Sequence, residues 1–217
     1  MLPPVTPKAH RDPAVVEDKF RRRFDPHVKS LNKLAEEIGR RTGNPTPWFD
    51  PDGGGIHARV LFLLEAPGTR ASVQKGSGFI SADNNDGTAE NFFRIRDQVG
   101  LPRDQLVAWN VVPWYLPNGT RAGNATSQDV QDARPWLEKL MGLLGPGPRV
   151  VVPMGDPALK GWMRLLAADP SIPLRPTLAL PHPSPRSLAG RPEYRDLIRS
   201  GLQRVTEIVN TADWPLA

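Results

Sequence analysis

The chain has 217 residues, which suits one globular domain, and its formal net charge of +5 favours a polyanionic partner such as nucleic acid. It contains no cysteine, so disulfides, thiolate metal sites and iron–sulfur clusters are excluded. No apolar run approaches the ~20 residues that span a bilayer, and the first residues lack the apolar stretch of a signal peptide, so we expect a cytoplasmic protein without a membrane partner.

Two helices are predicted ahead of the first strand. The first lies within residues 12–24. The second follows Asp25 and Pro26, residue types that suit the N-cap and the first position of a helix. Its apolar side chains recur at helical spacing, at Val28, Leu31, Leu34 and Ile38. We expect these helices to form an N-terminal extension, residues 1–45, that packs on the core domain.

Four short apolar runs predict strands that are buried on both faces. These runs are residues 58–65, 106–112, 149–154 and 176–181. Helical patterns follow them at 87–99, 127–144, 156–167 and 192–209. Because strands that alternate with helices indicate a parallel sheet covered on both faces, the predicted fold is an α/β protein. We expect a three-layer α/β/α sandwich around a mostly parallel four-stranded sheet, in a domain of residues 46–217.

Polar or turn-forming residues accompany the end of each predicted strand. Glu65 ends the first run, Asn110 lies in the second, Gly-Asp-Pro follows the third at 155–157, and His182 follows the fourth. The carboxyl ends of parallel strands meet at one edge of the sheet, which is where open α/β sheets bind ligands. The sequence therefore predicts a cleft at this edge.

Each of these residues also has a purely structural explanation. Glu65 can cap the loop that follows it. Asn110 can pair with structural partners, because a buried amide left unpaired costs about 1–3 kcal/mol. A lone histidine such as His182 is more often structural. Asp156 and Pro157 suit the N-cap and first position of a helix, and we interpret them as structural.

Several kinds of enzyme lack their motifs in this sequence. The loop after the first strand is rich in glycine but has neither the Gly-Lys-Ser/Thr of a P-loop nor the Gly-x-Gly-x-x-Gly of a dinucleotide site. No Gly-x-Ser-x-Gly nucleophile elbow occurs. The four histidines lack metal-ligand spacing, so we predict no metal site and no cofactor.

Five segments, in this order, resemble the uracil-DNA glycosylase superfamily. They are LLEAPG, GSGFIS, WNVVPW, VVVPMGDPAL and LPHPSPRS, and they lie between residues 58 and 190. The EAPG segment is most similar to the branch whose thermophilic members carry a four-cysteine iron–sulfur cluster, which a chain without cysteine cannot bind. The HPSPR segment is also similar to the single-strand-selective monofunctional branch, so the branch assignment stays open.

The resemblance implies a DNA repair enzyme that flips uracil out of DNA and hydrolyses its N-glycosidic bond, leaving an abasic site. The implied partners are uracil-containing DNA, the abasic-site DNA product and free uracil, and we expect a monomer. Two other functions share the fold. One is a protein that binds uracil- or abasic-site DNA with slow turnover or none, although the KRRIH insertion of a covalently binding relative is absent from RASVQKGSGF. The other is a non-catalytic nucleotide-binding regulatory domain.

The resemblance also implies roles for single residues in the base pocket. Phe79 resembles the aromatic residue that stacks on uracil. Asn110 resembles the amide that recognises uracil N3–H and O4, and His182 resembles the donor to uracil O2. Glu65 and its neighbour Ala66 occupy the segment that activates the attacking water. Because Ala66 stands where another branch has an aspartate, Glu65 is expected either to position or deprotonate the water or to stabilise the cationic sugar.

The loop around His182 carries the predicted DNA contacts. Prolines fix φ and remove backbone donors, so the HPSPR loop is stiff. We expect Ser184 to hydrogen-bond a backbone phosphate and Arg186 to press into the minor groove where the base left the stack.

Overall fold

A parallel sheet forms the middle layer of the computed structural model, which describes residues 6–116 and 125–211. The described strands are β1 (Trp48–Phe49), β2 (Val60–Leu64), β3 (Phe79–Ile80), β4 (Leu106–Asn110) and β5 (Val150–Pro153). The central sheet has the order β4-β2-β5, and all its pairings are parallel. In β2, Val60 lies opposite Leu106 of β4 and Val150 of β5.

The predicted fourth strand is reduced to two isolated bridges. Thr177 lies beside Val151, and Leu180 lies beside Met154, both in parallel orientation. The segment is short because Pro176 and Pro181 flank it, and a proline has no N–H to continue the ladder. It nevertheless places residues 177–180 next to β5, on the side away from β2.

Helices cover both faces of this sheet. The described helices are α1 (Pro13–Arg22), α2 (Lys29–Thr42), α3 (Gly87–Gln98), α4 (Ser127–Leu144), α5 (Asp156–Ala168), α6 (Pro185–Gly190) and α7 (Glu193–Asn210). Successive side chains of a strand point to opposite faces. Accordingly, Leu61 and Leu63 pack with α2, α4 and α5, whereas Val60 and Phe62 pack with α3 and α7. The predicted three-layer α/β/α fold is therefore confirmed.

The second helix begins later than the sequence pattern indicates. The backbone carbonyl of Asp25 accepts hydrogen bonds from the N–H groups of Val28 at 3.0 Å and Lys29 at 2.9 Å, in a turn ahead of α2. Val28 is the N-cap, so the prediction of Asp25 and Pro26 as cap and first helical residue is wrong. Residues 1–5 of the predicted extension lie outside the described residues, and its boundary at residue 45 stays a prediction.

A second, two-stranded sheet was not predicted. β1 pairs with β3 in parallel, with Trp48 opposite Phe79 and Phe49 opposite Ile80. Two-residue strands next to glycine-rich loops show no periodicity, so sequence patterns cannot reveal them. None of the described helices combines the length and the apolar character needed to cross a membrane.

Candidate active site

A cavity of about 650 Å³ lies at the carboxyl edge of the central sheet. Five of the predicted site residues line it: Glu65, Ala66, Asn110, His182 and Ser184. They come from the end of β2, the end of β4 and the loop after the residue 177–180 segment. The structure thus brings together side chains from three separate parts of the chain.

Backbone pairing places Glu65 beside the chain that follows Asn110. Leu64 of β2 is in register with Asn110 of β4. Beyond the strands the pairing continues, because the N–H of Val111 donates to the carbonyl of Leu64 at 2.8 Å and the N–H of Val112 donates to the carbonyl of Glu65 at 2.9 Å. Glu65 therefore sits on a segment that β4 holds rigidly.

Glu65 is a half-buried carboxylate with one defined partner. Its Oε1 accepts a hydrogen bond from the N–H of Ala125 at 2.8 Å. Burial raises the pKa of Glu65 above its ordinary value, and the Ala125 hydrogen bond only partly opposes this shift. Ala66, the next residue, lies in the wall of the same cavity.

Asn110 lines the cavity and carries an unpaired amide donor. Its side chain is only 3% exposed, and its Nδ2 has no hydrogen-bond partner among the described residues. A buried donor without a partner costs about 1–3 kcal/mol. Because Asn110 lines the cavity, its amide is a candidate group for recognising a ligand.

His182 has a defined tautomer. The backbone N–H of Ser184 donates to its Nδ1 at 3.3 Å, so Nδ1 is the acceptor and the ring proton of the neutral imidazole lies on Nε2. Burial lowers the pKa of His182, and the carboxylate of Asp86 opposes this only in part. His182 is therefore a neutral donor at pH 7.

A glycine leaves room for the histidine. Gly155 follows β5 with a φ of +91°, and a Cβ at this position would lie 3.3 Å from the Cβ of His182. A side chain here would be strained and crowded. Gly155 therefore supports the site, and it is also the N-cap of α5, so the prediction of Asp156 as the N-cap is wrong.

The HPSPR loop rests on the first turns of α3. Asn91 donates from Nδ2 to the carbonyl of Pro183 at 2.9 Å. A Cβ added to Gly87 would lie 2.4 Å from Cγ of Pro185, so the loop packs directly against the start of the helix. Sequence patterns could not predict the roles of Asn91 and Gly87, because each contacts a residue that is more than 90 positions away in the sequence.

The two predicted DNA contacts have different environments. Ser184 is the N-cap of α6, and its hydroxyl oxygen accepts from the N–H of Ser187 at 3.2 Å. The hydroxyl proton is still available to donate. Arg186 is exposed in the first turn of α6 and does not line the cavity.

Phe79 is not brought into the cavity. It is fully buried in β3, and its ring centroid lies 6.2 Å from that of His10. Its neighbour Ile80 lines the cavity, because adjacent side chains of a strand point to opposite sides. The stacking role of Phe79 stays a prediction that this geometry does not support. Phe62 and Phe92, which pack edge to face at 5.0 Å, are aromatic rings that do line the cavity.

Comparison with known proteins identifies the family and the fold. Residues 51–203 match the model of the uracil DNA glycosylase superfamily. The fold is similar to the crystal structure of wild-type SMUG2 from Pedobacter heparinus, with a TM-score of 0.50 and 16% identity, over 85% of this chain and 87% of that chain. At that identity the likeness concerns the fold alone. No curated protein matches the chain.

Proposed function

Because the chain belongs to the uracil DNA glycosylase superfamily, and is therefore a DNA glycosylase that binds DNA, we propose that the base it removes is uracil. The observation that carries this proposal is the buried and unpaired Nδ2 of Asn110 in the cavity wall. A flipped uracil offers an acceptor at O4 and a donor at N3–H. One side-chain amide supplies the complementary donor and acceptor. Cytosine offers the opposite pair, an amino donor and an unprotonated ring nitrogen, and fits poorly to an amide held in the orientation that suits uracil.

His182 is proposed to assist the departure of the base. Cleavage of the glycosidic bond leaves negative charge on the uracil ring, shared with O2. A neutral imidazole with its proton on Nε2 donates to that oxygen as the charge develops, in the manner of an oxyanion hole. The stiff loop fixes the ring before the substrate binds, so little ordering entropy is lost in the reaction.

Glu65 is proposed to act on the sugar side of the bond. The sugar becomes cationic as the base leaves, and a carboxylate stabilises that charge or orients the water that attacks it. The Ala125 N–H holds one carboxylate oxygen in place. Ala66 contributes to the wall of the uracil pocket, and Ser184 and Arg186 are proposed to hold the DNA backbone and groove.

A strand-nicking assay tests the proposal. A labelled oligonucleotide with one uracil is incubated with the enzyme and then treated with alkali, which cleaves the chain at an abasic site. We expect cleavage with uracil and none with cytosine in the same sequence, and we expect it to continue in the presence of a metal chelator. Product formation that stops at one turnover per enzyme molecule would instead identify a slow-release binder. Release of another base in preference to uracil would refute the proposed specificity.

A further inference from the structure

One wall of the cavity is contacted by residues that lie outside the part of the chain that matches the family. This wall segment, residues 81–88, runs from the end of β3 into the first turn of α3. Its residues in the cavity lining are Ser81, Ala82, Asn84, Asp86, Gly87 and Thr88. The N-terminal segment, residues 8–23, contacts the wall segment on the side away from the cavity. This N-terminal segment lies before the region that matches the family, which is residues 51–203. The wall is thus built jointly by the family domain and a segment beyond it.

Two residues near the start of the N-terminal segment contact the wall directly. The backbone N–H of His10 donates to the carbonyl of Asp83 at 3.0 Å, and Nδ1 of its ring lies 2.9 Å from Oδ1 of Asn84. Arg11 donates from Nε to Oδ1 of Asn85 at 2.9 Å. These contacts follow three successive wall residues, so the two segments run side by side.

Lys19 of α1 makes the most buried of these contacts. Its side chain is 1% exposed, and its Nζ lies 2.5 Å from Oδ2 of Asp83, 2.8 Å from Oδ2 of Asp50 and 3.1 Å from Oδ2 of Asp52. Burial alone would lower the pKa of Lys19, but the three carboxylates raise it above its ordinary value. The ammonium is therefore a fixed positive charge that joins α1 to the wall.

The charges of this cluster are closely balanced. Arg103 is its second cation, with Nη2 at 2.7 Å from Oδ2 of Asp83 and 3.2 Å from Oδ2 of Asp50. Arg22 is the third, with Nη2 at 2.7 Å from Oδ1 of Asp52, so three carboxylates face three cations and the formal charges cancel. The carboxylates are close enough to hold a metal ion, with ligand oxygens within 4.8 Å of one another. Lys19 supplies a positive charge at that position instead.

The wall segment in turn contacts the loop of the proposed leaving-group donor. The carboxylate of Asp86 acts electrostatically on His182, and Gly87 lies against Pro185. From these contacts we propose that Lys19 is a positioning residue, which fixes the wall segment and through it the placement of His182. The effect on catalysis rests on the proposed function, whereas the effect on the wall does not.

The double variant Lys19→Met/Asp83→Asn separates positioning from simple charge balance. Lys19→Met alone leaves an excess of buried negative charge and is expected to lower the melting temperature. The second substitution restores the formal charge of the cluster, and the asparagine can still accept from Arg103. The tie between α1 and the wall is lost in both variants. Arg21→Ala is the matched control, because Arg21 is an exposed residue of the same helix whose contacts stay within α1.

Two measurements are made on each full-length variant: hydrogen exchange of peptides from the wall, and the single-turnover rate of base release. We expect the double variant to fold, to exchange faster in residues 81–88 but not in β5, and to react about 10- to 100-fold more slowly, as misplaced catalytic groups do. The control should match the wild type in both.

Three results would overturn the inference: a wild-type rate in the double variant, unchanged exchange in the wall, or faster exchange throughout the protein. If the wild type releases no base from any DNA, the proposed function fails. The exchange measurement then still decides whether Lys19 fixes the wall.

Discussion

Replacing His182 with alanine tests the proposed chemistry at its centre. Among the described residues, the imidazole accepts one hydrogen bond, from the N–H of Ser184 at 3.3 Å. A bond of that length is weak, and Asn91 and Gly87 hold the loop independently. We therefore expect the variant to fold. Loss of one donor to a developing anion costs about 2.7–4 kcal/mol, or about 100- to 1000-fold in rate.

The loss should appear in the transition state and not in binding. The single-turnover rate of base release from uracil-containing DNA reports on the transition state. The affinity for DNA with a non-cleavable uracil analogue reports on binding. His182→Gln offers a partial rescue, because its amide can still donate from a similar position. Since burial lowers the pKa of His182 below 6.5, the imidazole is already neutral at pH 7, and the wild-type rate should not depend on its titration between pH 7 and 8. A His182→Ala enzyme that binds weakly but cleaves bound substrate at the normal rate would refute the leaving-group role.

Three further predictions address the other proposed site residues. Burial raises the pKa of Glu65 above 4.5, so the single-turnover rate should fall as the pH drops through a midpoint above that value. Glu65→Gln should be slow, and its rate should not show this fall at low pH. If the fall persists in the variant, it belongs to another group. Asn110→Asp should slow uracil release by about 10- to 100-fold, because the donor to O4 becomes an acceptor, and unchanged kinetics in the folded variant would remove Asn110 from base recognition. Arg186→Ala should lower the slope of log affinity for DNA against log salt concentration by about one released counterion. The control is Arg41→Ala, on a helix that does not line the cavity, and its slope should stay at the wild-type value. Equal slopes for both variants would place Arg186 away from DNA.

The strand ends could be predicted because their sequence signals are local. Each buried strand is a short apolar run, and Glu65 and Asn110 interrupt or end such runs. Once the strands are taken as parallel, these residues must meet at one edge of the sheet. His182 follows from the same argument, even though its strand is reduced to two bridges.

The supports of the site depend on contacts that no local pattern encodes. Lys19 meets Asp50 across 31 positions and Asp83 across 64, and in the sequence it is one of several charged residues in an amphipathic helix. The side of β3 that Phe79 faces depends on its pairing with β1, and two residues are too few to show alternation. Motif similarity assigned Phe79 to the cavity, whereas the register of that short pair gives Ile80 the position in the lining.

The order of the strands separates the proposed catalytic groups along the edge of the sheet. Asn110 and Glu65 end neighbouring strands, β4 and β2, whereas His182 follows the segment on the far side of β5. Parallel strands lie about 4.8 Å apart, so Glu65 and His182 stand about two strand spacings, or roughly 10 Å, from each other. The strand between them, β5, is followed by Met154, which lines the cavity, and by Gly155, whose N–H donates to the carbonyl of Leu180 at 2.8 Å. Gly155 therefore ties the histidine segment to the end of β5, and Glu65 and His182 stand on opposite sides of that strand.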